Sequence, residues 1–310
     1  MSEPRILTLT LNPAVDVAFT ADAVVPTIKI RTYGETHDPG GGGVNVARVL
    51  REMGADVQAV VLAGGVTGMH LEELLAAAGV PCQRVRIAGH TRICTTVQDR
   101  ATGQEYRFVP EGPLVDEAEL DACLRLLDAL PGDWLVASGS LPRGVADDTY
   151  LRFAYAATRR GRPVVLDTSG AALKAALGHS LALIKPSLHE FQHLLGRTLP
   201  DAASQDEAAR ALVASGGAER VAVSLGDQGA LLATREGVWR MAALPVRVRG
   251  AVGAGDSFVA AMVLALARGA PPREALAWGM AAGAAAVTST GTAHPTRATI
   301  EELFRLAMAG

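Results

Sequence analysis

The sequence lacks closely spaced cysteines: Cys82, Cys94 and Cys123 are its only three, and no CxxC pair occurs. That excludes a disulfide framework or a cysteine-rich zinc site and points to a reducing, cytoplasmic setting. A dominant charge of either sign is missing too. The 29 basic and 32 acidic residues leave a formal charge of −3, which argues against a nucleic-acid binder that relies on a broad basic surface. The Ala-rich stretch near 257–290 is interrupted by Arg268, Arg273 and Glu274, so it reads as two buried helices and not as a membrane span. No hydrophobic leader precedes the strand-like start of MSEPRILTLTLNP. Neither G-x-x-x-x-G-K-[ST] nor G-x-G-x-x-G is present, so a Walker loop and a dinucleotide fingerprint are both absent. Aromatics are scarce at 4%, yet 49% of the 310 residues are hydrophobic, enough for a sizeable α/β core.

What is present alternates. Short apolar runs at 6–11, 57–63, 134–138, 163–167, 181–185 and 220–225 predict strands buried on both faces, hence a mostly parallel sheet with helical crossovers. Helical periodicity is predicted over 44–53, 68–78, 116–130, 147–160, 206–216, 257–268, 272–289 and 297–308. In the first of these Val46, Val49, Leu50 and Met53 share one face. Two stretches, approximately 13–38 and 85–109, carry more polar β-prone segments without helices between them. They predict antiparallel strands outside the main sheet, a small discontinuous β lid on one domain spanning 1–310. Polar and glycine-rich clusters follow six strands: Asn12 and Asp16, Gly64-Gly65, Ser138-Gly139-Ser140, Asp167, Lys185, and Ser224-Leu225-Gly226. In a parallel sheet these lie along one edge, where ligands bind in open α/β folds.

Two glycine-to-helix junctions stand out. "DPGGGGVNVARVLREMG" (38–54) places four glycines ahead of an amphipathic helix, and "GAVGAGDSF" (250–258) places Gly253 and Gly255 ahead of Asp256. Glycine lets backbone N–H groups approach a ligand, and a helix start offers free donors and a favourable dipole for an anion. Asn45, on the first turn of its helix, can contact a sugar hydroxyl. Asp256 could be no more than a helix cap, but a cap does not account for the glycines before it. A carboxylate beside an anion cradle is what phosphoryl transfer needs to take a proton from an attacking hydroxyl.

These two segments, in this order and about 210 residues apart, resemble the two signatures of the ribokinase-like sugar kinases, the PfkB family. TLTLNPAVD, GSLPRGV, KPSLHE, VSLGDQGAL and AAGAAAVTSTGT extend the similarity over essentially the whole chain. PGGGGVNVAR, GQEYRFVPEG and VGAGDSF are similar to the branch that phosphorylates fructose 6-phosphate. Gly42 stands where kinases of fructose 1-phosphate and tagatose 6-phosphate usually carry a lysine. The resemblance implies a three-layer α/β sandwich with a β lid and an ATP- and Mg2+-dependent transfer to the 1-hydroxyl of fructose 6-phosphate. Tagatose 6-phosphate or fructose 1-phosphate are the alternative acceptors.

Residue by residue, the resemblance implies Asp256 as general base, with Gly253, Ala254 and Gly255 as the anion hole. Asp16, Gly41, Gly42 and Asn45 would hold the sugar hydroxyls, and Lys29, Arg92, Arg107 and Ser140 the sugar's phosphate. Lys185, Ser187, Ser224, Gly226, Gly229 and Ser289 would face the nucleotide, and Glu190 would act on magnesium indirectly. Two positions depart from the family pattern. Ser187 replaces the usual Asn of Asn-x-x-Glu, and Ala251 stands near where a threonine is common. Unpaired lid edges, together with the resemblance, imply a homodimer through the lid strands. One rival remains: "HEFQH" (189–193) matches H-E-x-x-H, which on a helix could bind zinc through His189 and His193, with Glu190 activating water.

Overall fold

The computed structural model describes residues 3–250, 252–288 and 294–309. Ser289 and Ala251 lie outside the described residues. The chain begins with β1 (Arg5–Thr10), β2 (Ala14–Ala21) and β3 (Thr32–Gly40), then α1 (Gly42–Glu52), β4 (Asp56–Ala63), α2 (Gly65–Ala77) and β5 (Cys82–Arg86). Next come β6 (Arg92–Asp99), β7 (Glu105–Phe108), α3 (Glu117–Ala129), β8 (Trp134–Ser138), α4 (Thr149–Thr158), β9 (Val164–Asp167) and α5 (Gly170–Ala176). β10 (Leu181–Ile184), α6 (Leu188–Leu195), α7 (Ala202–Ala214), β11 (Val221–Ser224), β12 (Ala230–Thr234) and β13 (Gly237–Met241) follow. α8 (Ala254–Ala267), α9 (Pro272–Val287) and α10 (Arg297–Ala309) complete it.

Nine strands form one sheet in the order β13-β12-β11-β10-β9-β8-β1-β4-β5. All pairs from β5 to β11 are parallel, whereas β11-β12 and β12-β13 are antiparallel. Side-chain alternation divides the core into two layers. Ile6, Val57, Ala59, Val61, Val136 and Val165 pack under α1, α2, α8, α9 and α10. Leu7, Leu9, Val60, Leu62, Leu135 and Leu166 pack under α3 to α7. The result is a helix–sheet–helix sandwich, and the strand runs buried on both faces are the reason that the sheet reads as continuous apolar sequence.

Four local differences from the sequence expectations have physical causes. Residues 82–86 pair in parallel with β4 at the edge of the main sheet, so positions 85 and 86 belong to it and not to the lid segment expected from 85. A second, four-stranded sheet has the order β3-β2-β6-β7. Within it β2 and β6 run parallel, not antiparallel, because main-sheet strands and helices intervene between them in the chain. Finally, α7 begins four residues earlier than periodicity predicts, because Asp201 caps it by accepting from the Ser204 N–H. The hairpin β12-β13 was not anticipated; its apolar residues lie in a chain region where glycines and charges blur the period.

Candidate active site

Strand ends of the main sheet set the site. Ser138 and Asp167 are register partners on β8 and β9, and Lys185 follows β10 directly. Lys185 Nζ lies 3.4 Å from Asp167 Oδ1, in a nearly solvent-free position. Burial disfavours its charge, but Asp167, Asp256 and Glu190 outweigh that and raise its pKa. The Asp167 carboxyl is pushed above the ordinary range by burial and by the neighbouring Glu190, against the pull of Lys185. Neither Asp167 nor Ser138 had been given a role from sequence. The available signal was a carboxylate and a hydroxyl ending adjacent parallel strands.

Asp256 occupies the first turn of α8, behind Gly253, which has φ +73°. It does not cap that helix: no side-chain cap bond forms there. Instead its Oδ2 accepts from Asn45 Nδ2 of α1 at 2.9 Å, so the two glycine junctions, 211 residues apart in sequence, meet at this carboxylate. Burial, reinforced by the charge of Asp167, raises the Asp256 pKa to about 6, while Asn45, Lys185 and Ser138 pull it down. Lys185 Nζ stands over the helix start, 3.3 Å from where a Cβ on Gly255 would sit.

The first junction is tightly enclosed. Gly41 caps α1 with φ +110°. A Cβ at Gly42 would overlap Ser138 Oγ and come within 2.9 Å of the Gly139 nitrogen. A Cβ at Gly40 would run into the Asp16 carboxylate. Asp16 faces Cys94 and Asp38 across the second sheet. Burial raises its pKa, opposed chiefly by Arg107 and then Arg92. Arg92 donates to the carbonyls of Asn12 (2.8 Å) and Pro110 (2.9 Å), and its buried Nε–H finds no partner among the described residues. Asn12 Nδ2 reaches Ser140 Oγ at 3.2 Å and the Glu111 carbonyl at 2.9 Å. Thus Asp16, Arg92, Arg107 and Ser140 gather around Asn12 and β2. Lys29 lies on the exposed segment between β2 and β3 and makes no hydrogen bond or ion pair with them among the described residues.

On the other side of Gly255 opens a cleft of about 680 Å³, lined by Ser187, Ser224, Gly226, Gly229, Ala254 and Gly255 together with apolar Leu244, Val246, Phe258 and Met280. Four of the five described residues implied for nucleotide contact therefore share one cleft, and Lys185 abuts it through Gly255. Ser187 and Glu190 form a capping box at the start of α6. Glu190 Oε2 accepts from both the N–H and the hydroxyl of Ser187 at 2.8 Å, and the Glu190 N–H donates to Ser187 Oγ. Serine in place of asparagine thus turns its side chain to the glutamate. Gly229 has a separate structural cause, since a Cβ there would strike the Met241 carbonyl.

The zinc alternative finds no support in the geometry. His189 and His193 are exposed on α6, Glu190 is engaged by Ser187, and no group of three histidine, cysteine or acidic residues able to hold a metal occurs among the described residues. No helix among the described residues is long and apolar enough to cross a membrane.

Comparison with known proteins shows the family and the fold. Residues 11–299 match the pfkB family carbohydrate kinase. An ATP-dependent 6-phosphofructokinase isozyme 2 of Mycobacterium tuberculosis is 44% identical over 307 residues, covering 98% of this chain and 90% of the relative. The phosphofructokinase-2 of Escherichia coli, solved in complex with fructose-6-phosphate, superposes with a TM-score of 0.93 at 37% identity and covers 98% of this chain and 99% of its own. That protein has also been solved in a tetrameric inhibited form. A 1-phosphofructokinase of Bacillus subtilis is 33% identical, covering 92% of this chain and 93% of the relative. The sandwich is accordingly the ribokinase-like one, and the chain belongs to the pfkB family of carbohydrate kinases.

Proposed function

We propose that this kinase transfers the γ-phosphoryl group of ATP to the 1-hydroxyl of D-fructose 6-phosphate, giving fructose 1,6-bisphosphate and ADP. The observation that carries this reading is Asp256: a carboxylate with pKa about 6, held by Asn45 of the first junction and bordered by Lys185. It follows Ala254 and Gly255, which line the large cleft, and its partner Asn45 belongs to the first junction, near the strand that carries Asp16. In the forward reaction Asp256 accepts the 1-hydroxyl proton as that oxygen bonds to the γ-phosphorus. The bond from the γ-phosphorus to the β–γ bridging oxygen breaks, and its electrons leave with ADP. Backbone N–H groups at 253–255 and the Lys185 ammonium oppose the charge that builds on the transferred group. A base with pKa near 6 is ionised at neutral pH yet basic enough to take a proton.

On the acceptor side, Arg92 and Arg107 meet the existing phosphate, with Ser140 positioned by Asn12. The unpartnered Arg92 Nε–H supports an anion there. Gly42 supports the 6-phosphate choice, because Ser138 leaves no room for a side chain at the position where the sibling kinases carry lysine. Asp16 and the glycines 41 and 42 border the hydroxyls. Asp167 and Glu190, two carboxylates close enough for one to raise the other's pKa, form a local excess of negative charge suited to a divalent cation. They would hold Mg2+ through its waters, and the ion, when bound with ATP, neutralises the phosphates. The second sheet serves as a lid, and Tyr33, Ile93 and Phe108, large apolar side chains exposed on it, with Ile28 on the segment joining β2 to β3, support a homodimer through that sheet; the cytoplasm is its proposed setting.

A coupled ADP-release assay over fructose 6-phosphate, tagatose 6-phosphate and fructose 1-phosphate tests the assignment. The highest kcat/KM is expected for fructose 6-phosphate; a clear preference for fructose 1-phosphate overturns it.

A further inference from the structure

Away from the cleft, two histidines from different layers face one another. His37 on β3 and His70 on α2 bring Nδ1 and Nε2 to 2.9 Å, with ring planes inclined at 71°. Each ring is backed by a carboxylate from its own element. His37 Nε2 lies 2.7 Å from Glu35 Oε1, two residues away on the same strand face, and His70 Nδ1 lies 3.5 Å from Glu73 Oε2, one helical turn on. A carboxylate accepts and cannot donate, so Glu35, at 2.7 Å, takes the N–H of His37 Nε2, and Glu73 takes that of His70 in the tautomer that is protonated at Nδ1. In the neutral rings that choice leaves a lone pair on each of the two facing nitrogens. Two lone pairs at 2.9 Å repel unless a cation stands between them.

We propose that His37 and His70 form a binding site for a borderline divalent transition-metal ion such as Zn2+, which joins the second sheet to α2. Ring nitrogens bound to tetrahedral zinc at about 2.0–2.1 Å stand about 3.3 Å apart, so the nitrogens part by about 0.4 Å and the rings turn from their near head-on approach, with centroids 5.1 Å apart, to point at a common ion. Glu35 and Glu73 stand as the outer carboxylates that fix tautomer and orientation behind metal-bound imidazoles. The side chains are 35% and 39% exposed, which gives an ion access and lets water fill the remaining positions. No third protein ligand joins the pair among the described residues, so the site binds reversibly and more weakly than a closed structural zinc site. Protons compete for the same lone pairs.

The test is a Zn2+ titration of the full-length, nucleotide-free protein by calorimetry, with thermal melting alongside. The exposed pair His189 and His193, one turn apart on α6, is the internal rival for the same ion. The wild type is expected to bind Zn2+ and melt at a higher temperature in its presence. His37→Ala and His70→Ala should each bind more than about tenfold more weakly and lose the shift, while His193→Ala retains both. Glu35→Gln, which leaves both imidazoles in place, should weaken binding by about tenfold, separating lost ligation from a misfolded chain. Wild-type affinity in His37→Ala and His70→Ala, no uptake by the wild type, or loss only in His193→Ala would each overturn the proposal.

Discussion

The two glycine junctions look alike in sequence and differ in physics. At the first, glycine is required by proximity. A Cβ on Gly43 would lie 2.6 Å from the Leu9 carbonyl oxygen, and its neighbours at 40 and 42 press on Asp16 and Ser138. At the second, Gly253 faces open space, with nothing within 4 Å of an added Cβ, and is glycine because φ is +73°. The first is a packed joint between α1 and the strand ends. The second is a cradle left open for something to occupy. Glycine content therefore says little about how open each junction is; the space around each decides that.

The strongest way to sharpen that contrast is Asp256→Asn, in the open cradle. Turnover should fall about 10³-fold or more while fructose 6-phosphate still binds within about twofold, and near-wild-type kcat would remove the base. The same variant should be more stable at pH 7. A raised native pKa means that the folded state binds the Asp256 proton more tightly than the unfolded state does. Its stabilising contribution is therefore complete below the unfolded value of 3.8 and lost as pH rises through about 6. Removing the charge should restore on the order of 1–2 kcal/mol, after Lys185 loses a counter-charge, as read by denaturant melts.

The packed joint is probed by Gly43→Ala, which should cost about 1–3 kcal/mol by overpacking against β1. Next comes Arg92→Ala, expected to raise the KM for fructose 6-phosphate about tenfold with a smaller change in kcat, since one charged hydrogen bond to the phosphate is lost. An unchanged KM would move the phosphate site elsewhere. In the pH profile of kcat/KM, the acid limb should fall about tenfold per unit below pH 6 as Asp256 takes up its proton. A flat profile from pH 7 to 5 would separate the base from this carboxylate. Gly253→Ala should have the smallest effect on stability, about 1 kcal/mol for the left-handed backbone. If it matched Gly43→Ala, the distinction between joint and cradle would fail.

Much of this was legible from the chain because burial writes itself into sequence. The runs 6–11, 57–63 and 134–138 are apolar at most positions, since one set of alternate residues meets α1 and α8 and the other meets α3 and α4. The hairpin β12-β13 was not legible, because its partly exposed second strand mixes Trp239 with Arg240 and shows no continuous apolar stretch. Residues 85 and 86 belong to the main sheet and read as lid because an edge strand, half-exposed, resembles a polar lid strand in sequence. In the site, Asp256 and Asn45 were legible through their glycine contexts, but their mutual bond spans 211 positions and only the fold discloses it. Asp167 and Ser138 gave less signal: each is a single polar residue at a strand end, and their importance comes from being adjacent in register.

The clasp between Ser187 and Glu190 has a mechanical implication. The Glu190 arm, proposed above to meet an ion through its waters, is also the peg at the start of the eight residues of Leu188–Leu195, through two bonds to the same oxygen. Any tug on that oxygen is passed to a lever one and a half nanometres or less in length, about 12 Å at the usual rise per residue. Cargo arriving at one end of the rod would thus be felt at the other, without a hinge having to be built for the purpose.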